Sequence, residues 1–154
     1  MTDSEFAARA LAEATAQAMF ARGAASRMLG MRIVGVTPGN AVLKMQVRAD
    51  MLNAHDICHG GFIFALADSA LAFAAHSHNI RTVTSGSTID YLAPASLGDM
   101  LTAVATEQSR SGKTGVYDVI ITKGDGTRVA MFRGKSHQLK GEVLVSLANQ
   151  STHK

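Results

Sequence analysis

Apolar and polar residues alternate along this chain with two different periods, and the changes of period mark its elements. From 5 to 21 the chain is rich in alanine. Arg9, Glu13 and Gln17 recur every four residues as a polar stripe, with Leu11, Ala18 and Met19 off it, which predicts an amphipathic helix. Thr2 and Glu5 have the spacing of a capping box ahead of it. The runs 31–36 and 41–48 read as strands on either side of Thr37-Pro38-Gly39-Asn40, whose central Pro and Gly suit a type II turn. In the second run Leu43, Met45 and Val47 alternate with Lys44, Gln46 and Arg48, the period of a half-buried strand.

A loop over 49–61 carries His55, Asp56, His59 and the pair Gly60-Gly61. Residues 62–75 are then apolar on every side except at Asp68 and Ser69, and a helix without a polar face must be surrounded by protein. Strand-like runs follow at 82–92, 98–109, 114–123 and 127–138, broken by Pro94 and Gly98, by Ser111-Gly112 and by Gly124-Asp125-Gly126. Residues 140–154 show no partner. The chain divides into a helical segment over 1–27, a domain over 28–140 and a tail over 141–154. Helix, two strands, buried helix and four strands together predict an α+β fold, an antiparallel sheet wrapped around one central helix. Such a sheet ends in open edges that invite a second copy.

Composition narrows the class. The chain has 154 residues, 47% hydrophobic and 18% charged, which fits one globular domain and excludes disorder. So apolar a composition in so short a chain suggests a covered surface. Net charge is +3, with no Trp and no run of basic residues, so nucleic acid is not an expected partner. Apolar stretches reach only about six residues, short of the ~20 that a membrane helix needs. The opening Met1-Thr2-Asp3-Ser4-Glu5 is acidic, unlike a signal peptide, and Cys58 is the one cysteine. The expectation is a soluble cytoplasmic protein.

Asp68 is the most informative residue. A carboxylate among Phe64-Ala65-Leu66-Ala67 and Ala70-Leu71-Ala72-Phe73 has no cationic neighbour on its own helix, and burying it costs several kcal/mol. It is either a structural acid bonded to a hydroxyl such as Ser69 or Thr84, or a reactive one. His59-Gly60-Gly61 precedes the same helix, where free N–H groups and a partial positive charge can bind a carbonyl oxygen. Asp68 lies eight residues past Gly60, about 10–12 Å along the axis. One carbonyl carbon cannot touch both, so a shared reaction requires the Asp of one subunit to meet the Gly of another, in two equivalent sites.

Cys58 beside His59 reads as a small buried thiol, because sequence neighbours rarely have nucleophile–base geometry. The spacing of His55, Asp56, His59, His76 and His78 fits no metal motif, and no metal is expected. A phosphate loop of the Gly-x-x-x-x-Gly-Lys type is absent.

Asn53-Ala54-His55-Asp56-Ile57-Cys58-His59-Gly60-Gly61 followed by Phe62-Ile63-Phe64-Ala65-Leu66-Ala67-Asp68 resembles the hotdog-fold acyl-CoA thioesterases of the phenylacetic acid degradation type. So do Thr88-Ile89-Asp90-Tyr91-Leu92-Ala93-Pro94, Gly98-Asp99, Thr114-Gly115-Val116-Tyr117-Asp118 and Phe132-Arg133-Gly134-Lys135-Ser136-His137. The likeness runs over 28–138. It implies a hotdog thioesterase domain that hydrolyses acyl-CoA, with phenylacetyl-CoA or its hydroxylated forms as substrate. It also implies a homodimer with shared sites, assembled as a dimer of dimers, and no cofactor beyond the CoA of the substrate.

By that resemblance Asp68 matches the catalytic carboxylate, Gly60 the carbonyl-polarising N–H, and Asn53 an amide near substrate or water. His59 either orients the loop or contacts the carbonyl. Gly61 is a further candidate at the substrate, and the hydroxyls of Thr84 and Ser85, on the strand after the buried helix, either line the acyl pocket, hydrogen-bond Asp68 or are ordinary strand polar residues. Arg110, Lys113, Arg133, Lys135 and Lys140 are candidates for the CoA phosphates. A noncatalytic acyl-CoA-binding protein is the alternative from another class, and enoyl-CoA hydration a third reading.

Overall fold

The computed structural model describes residues 1–145. The expected layout is met. Helix α1 (Asp3–Arg22) and the short α2 (Ala24–Met28) lead into strands β1 (Arg32–Thr37) and β2 (Asn40–Gln46), then a 3-10 turn at Ala49–Met51. Helix α3 (Gly60–His76) follows, then β3 (Ile80–Tyr91), β4 (Met100–Ser111), β5 (Thr114–Thr122) and β6 (Arg128–Glu142). The six strands form one sheet in the order β1-β2-β4-β5-β6-β3, antiparallel at every pairing.

The capping box forms as its spacing predicts: Glu5 N–H donates to Thr2 Oγ1 at 3.2 Å, and Thr2 N–H to Glu5 Oε2 at 2.7 Å. Gly39 sits at φ +77, the left-handed conformation that the third position of a type II turn requires. The buried face of α1 differs from the expected one. Ala12, Thr15 and Ala16 are buried while Leu11 is exposed. The Thr15 hydroxyl donates to Leu11 O at 2.7 Å, which satisfies it internally and lets small residues pack close.

Helix α3 lies against the sheet. Leu66, Ala67, Ala70, Leu71 and Ala74 meet a floor that includes Leu43, Met45, Leu101, Ala103, Val119 and Ile121, all buried. Each large aliphatic side chain contributes about 1.5–3 kcal/mol by burial. One chain does not enclose α3, as its apolar text had suggested: Ala65, Asp68, Ser69 and Ala72 are only half-buried. Among the described residues strand β3 pairs only with β6, and its own residues are all exposed or half-buried.

Residues 140–145, which show no partner in the sequence, have one. Glu142 pairs with Ile80; Leu144 N–H donates to Asn79 Oδ1 at 2.7 Å, and Asn79 Nδ2 donates to Leu144 O at 3.2 Å. The rest of the expected tail, 146–154, lies outside the described residues.

Candidate active site

The loop before α3 is folded by Asn53. Its backbone N–H donates to Ile57 O at 2.8 Å. Its Oδ1 accepts from the N–H groups of His55 at 2.9 Å and Ile57 at 3.4 Å, an Asx-type turn. The Nδ2 group bonds to no described residue. Two further bonds anchor the loop end: Cys58 N–H to Ala95 O and His59 N–H to Met51 O, both 2.8 Å. Cys58 is buried, its thiol pKa raised by desolvation, which fits the inert reading.

His59 is the N-cap of α3. Its Nδ1 accepts the Gly61 N–H at 2.9 Å, which places the ring proton on Nε2 in the neutral tautomer. Phe62 N–H donates to His59 O at 3.0 Å. Gly60 N–H is left with no acceptor among the described residues. An unpaired N–H at the positive end of a 17-residue helix is suited to a carbonyl oxygen. The Gly60 oxygen accepts the Tyr91 hydroxyl at 2.9 Å.

Asp68 lies two turns farther along α3, half-buried, and its Oδ1 accepts the Thr84 hydroxyl at 3.1 Å. The carboxylate is therefore tied to the exposed edge strand, at the fifth residue of β3. A cavity of about 500 Å³ opens beside the helix start, lined by Asn53, Ile57, Cys58, Gly60, Ile63 and the segment 91–95. Asp68 is not among its walls. The larger groove, about 740 Å³, lies away from these residues, between the end of α1 and the end of β6. Among the described residues no three His, Cys, Asp or Glu side chains gather as a metal-binding group, and no helix is long and apolar enough to cross a membrane.

The other predicted residues do not all converge. Gly61 is exposed in the first turn of α3, and the Ser85 hydroxyl donates to Lys135 O at 3.3 Å. Arg110 shares a sheet row with Thr84, through Gly115 and Ser136, and lies 4.0 Å from Glu107. Lys113 is on the β4–β5 turn and Lys140 is exposed near the end of β6. Arg133 and Lys135 alternate with the buried Gly134 and Ser136, so they face outward, away from α3. Arg133 is already engaged by Asp118, at 2.6 and 2.8 Å, and that guanidinium holds the Asp118 carboxyl below its usual pKa.

Residues 55–130 match the Thioesterase superfamily. The acyl-coenzyme A thioesterase PaaI of Escherichia coli K12 is 44% identical over 128 residues, covering 83% of this chain and 91% of that protein. The chain belongs to this superfamily. The solved E. coli PaaI protein from the phenylacetic acid degradation operon superposes with a TM-score of 0.86 at 43% identity, covering 87% of this chain and 97% of that one. A Streptococcus mutans UA159 protein, solved bound to acetyl CoA, gives 0.70 at 28% identity, covering 73% and 90%. The sheet and its central helix are thus the hotdog fold of a thioesterase homologous to PaaI.

Sequence reasoning missed one contact in this thioesterase: the bond from Tyr91 to Gly60. Nothing in the period of the strand marks it, since Tyr91 lies on an exposed strand end, 31 residues from Gly60.

Proposed function

We propose that this thioesterase hydrolyses aryl- or medium-chain acyl-CoA, phenylacetyl-CoA or its hydroxylated forms foremost, to the free acid and CoA. Hydrolysis of an acyl-CoA thioester is the reaction class of its PaaI homologue. The observation that carries the assignment of roles is the unpaired Gly60 N–H at the mouth of an apolar cavity, on the same helix as the open Asp68 carboxylate. Gly60 N–H polarises the thioester carbonyl, and Asn53 and His59 Nε2–H border the same oxygen. Asp68, oriented by Thr84, drives the attack by deprotonating water or by adding to the carbon itself. The thiolate of CoA leaves as the acid forms. The cavity walls suit an aromatic or medium aliphatic acyl group, and the E. coli relative comes from a phenylacetic acid degradation operon.

Two copies complete the site. Gly60 and Asp68 are separated by about 12 Å of helix, and both border surface that one chain leaves open. Pairing of β3 with its counterpart would cover the open edge and the uncovered strip of α3, and would set one copy's Asp68 against the other's Gly60. Across the outer sheet face Val42, Val104, Ile120 and Met131 stand in register as an apolar row. Lys44 and Arg128 flank one side, Asp118 and Arg133 the other. A dyad along that row buries it against its own copy and sets Lys44 and Arg128 opposite the Asp118–Arg133 pair, which favours a dimer of dimers. The free Cys58 thiol suits the cytoplasm. Arg110, Lys113, Lys135 and Lys140 supply charge for the CoA phosphates.

A panel of acyl-CoA thioesters read by thiol release tests the reading, with sedimentation giving the assembly mass. Aryl thioesters are expected to turn over fastest, and Asp68→Asn to lose most of kcat while keeping the assembly. Tight CoA binding without thiol release from any thioester would instead establish a binding protein. Single turnover in ¹⁸O-water probes the role of Asp68: label in the side chain establishes attack by the carboxylate itself, with water then cleaving the anhydride at the Asp68 carboxyl carbon.

A further inference from the structure

The Gly60–Gly61 peptide is held by side chains at both of its polar ends. Tyr91 donates its hydroxyl to Gly60 O at 2.9 Å, and His59 Nδ1 accepts the Gly61 N–H at 2.9 Å. Tyr91 is the last residue of β3, so the bond ties the end of the edge strand to the first turn of α3. The ring also lies close over Gly60: a Cβ there would stand 3.0 Å from Tyr91 Cζ and Oη. Tyr91 is half outside protein, at 51% exposure, yet it forms part of the cavity wall beside Gly60. Burial of the phenol on that side raises its pKa, so the hydroxyl keeps its proton and remains a donor.

We infer that the Tyr91 hydroxyl is a positioning group, which fixes the first turn of α3 so that the Gly60 N–H and the His59 Nε2–H aim at one carbonyl oxygen. This rests on the carbonyl-polarising role proposed for Gly60. A helix start usually frays, because its first N–H groups lack partners within the helix. Here the peptide that follows the open N–H is pinned from its oxygen by Tyr91 and from its nitrogen by His59. Gly60 N–H and His59 Nε2–H, which have no partner among the described residues, flank that peptide and inherit its rigidity. Preorganised donors stabilise a developing oxyanion without reorganising during the reaction. The phenol acts through the peptide and does not bond the substrate.

Tyr91→Phe is the test, because it keeps the ring and the wall and deletes only the hydroxyl. Relative to wild-type enzyme turning over phenylacetyl-CoA, the kcat of Tyr91→Phe is expected to be about three- to tenfold lower, the worth of one hydrogen bond, with KM within about twofold. The carbonyl stretch of ¹³C-labelled phenylacetyl-CoA, bound in an Asp68→Asn background, is expected to move toward its value in water when Tyr91→Phe is added. The amide signals of Gly60 and Gly61 should shift and exchange faster, with the melting temperature little changed. An unchanged kcat and carbonyl stretch overturns the inference. A rise in KM at constant kcat also overturns it, by assigning the phenol to substrate binding. Wild-type protein that releases no thiol overturns the proposed function instead, so the two failures are distinct.

Discussion

Gly60 is the first residue of α3, preceded by a His59 cap at φ −59 and ψ 132. Proline is tolerated at a first helical position and wants an extended residue before it. Gly60→Pro therefore deletes the open N–H at this position while leaving a helix that can form. If that N–H polarises the thioester, kcat drops by about 10²–10³, the usual effect of losing an oxyanion donor. Gly60→Ala is the control. It keeps the N–H but sets a methyl against the Tyr91 phenol, and the exposed ring can swing aside, so a smaller loss is expected. Steady-state kinetics on both variants, with circular dichroism to verify the fold, checks the pair. At this scale much of the proposed site is legible in the sequence. Asp68 stands out because its neighbours are apolar, and Gly60 because a glycine pair opens a helix. Tyr91 is invisible there, since its role depends on a contact that only folding creates.

The ends of α3 are secured differently, and the far end is sensitive to pH. His76 Nδ1 donates to Ala72 O at 2.7 Å, and its Nε2 accepts the Thr82 N–H at 3.2 Å. The ring thereby joins the last turn of the helix to the start of β3, in its neutral form. Burial lowers its pKa below the free value of 6.5. Unfolded protein then takes up a proton first as pH falls, so stability decreases below about pH 6.5 until the folded pKa is passed. Urea unfolding between pH 7.5 and 5.5 should show this decline, and His76→Gln should flatten it. A slope equal in both proteins would assign the pH dependence to other groups. Helices and strands are legible because their periods differ; what escapes the pattern is which face each one buries. On α1 the burial of Thr15 in place of Leu11 turns on a hydroxyl bonded within its own helix, and hydrophobicity alone ranks those residues the other way.

For the whole molecule, the antiparallel sheet around one helix follows from the order of periods, but the strand order does not. β3 precedes β4 in the chain, yet it pairs with β6 at the edge, because the segment 92–99 carries the chain across the sheet. That placement leaves the outer edge of β3 unpaired among the described residues, with Asp68 tied to the strand through Thr84. It also makes the proposed shared site testable by mixing two defective chains. One chain carries Asp68→Asn and the other Gly60→Pro, each expected to be nearly inactive alone. If each site takes its acid from one subunit and its N–H from the other, a mixed dimer has one site with both groups intact and one with both altered. Random re-association of equal amounts makes half the dimers mixed, so activity should recover to about a quarter of wild type. If both groups served one reaction within a single chain, every site in the mixture would lack one of them. Activity would then stay at the level of the separate variants.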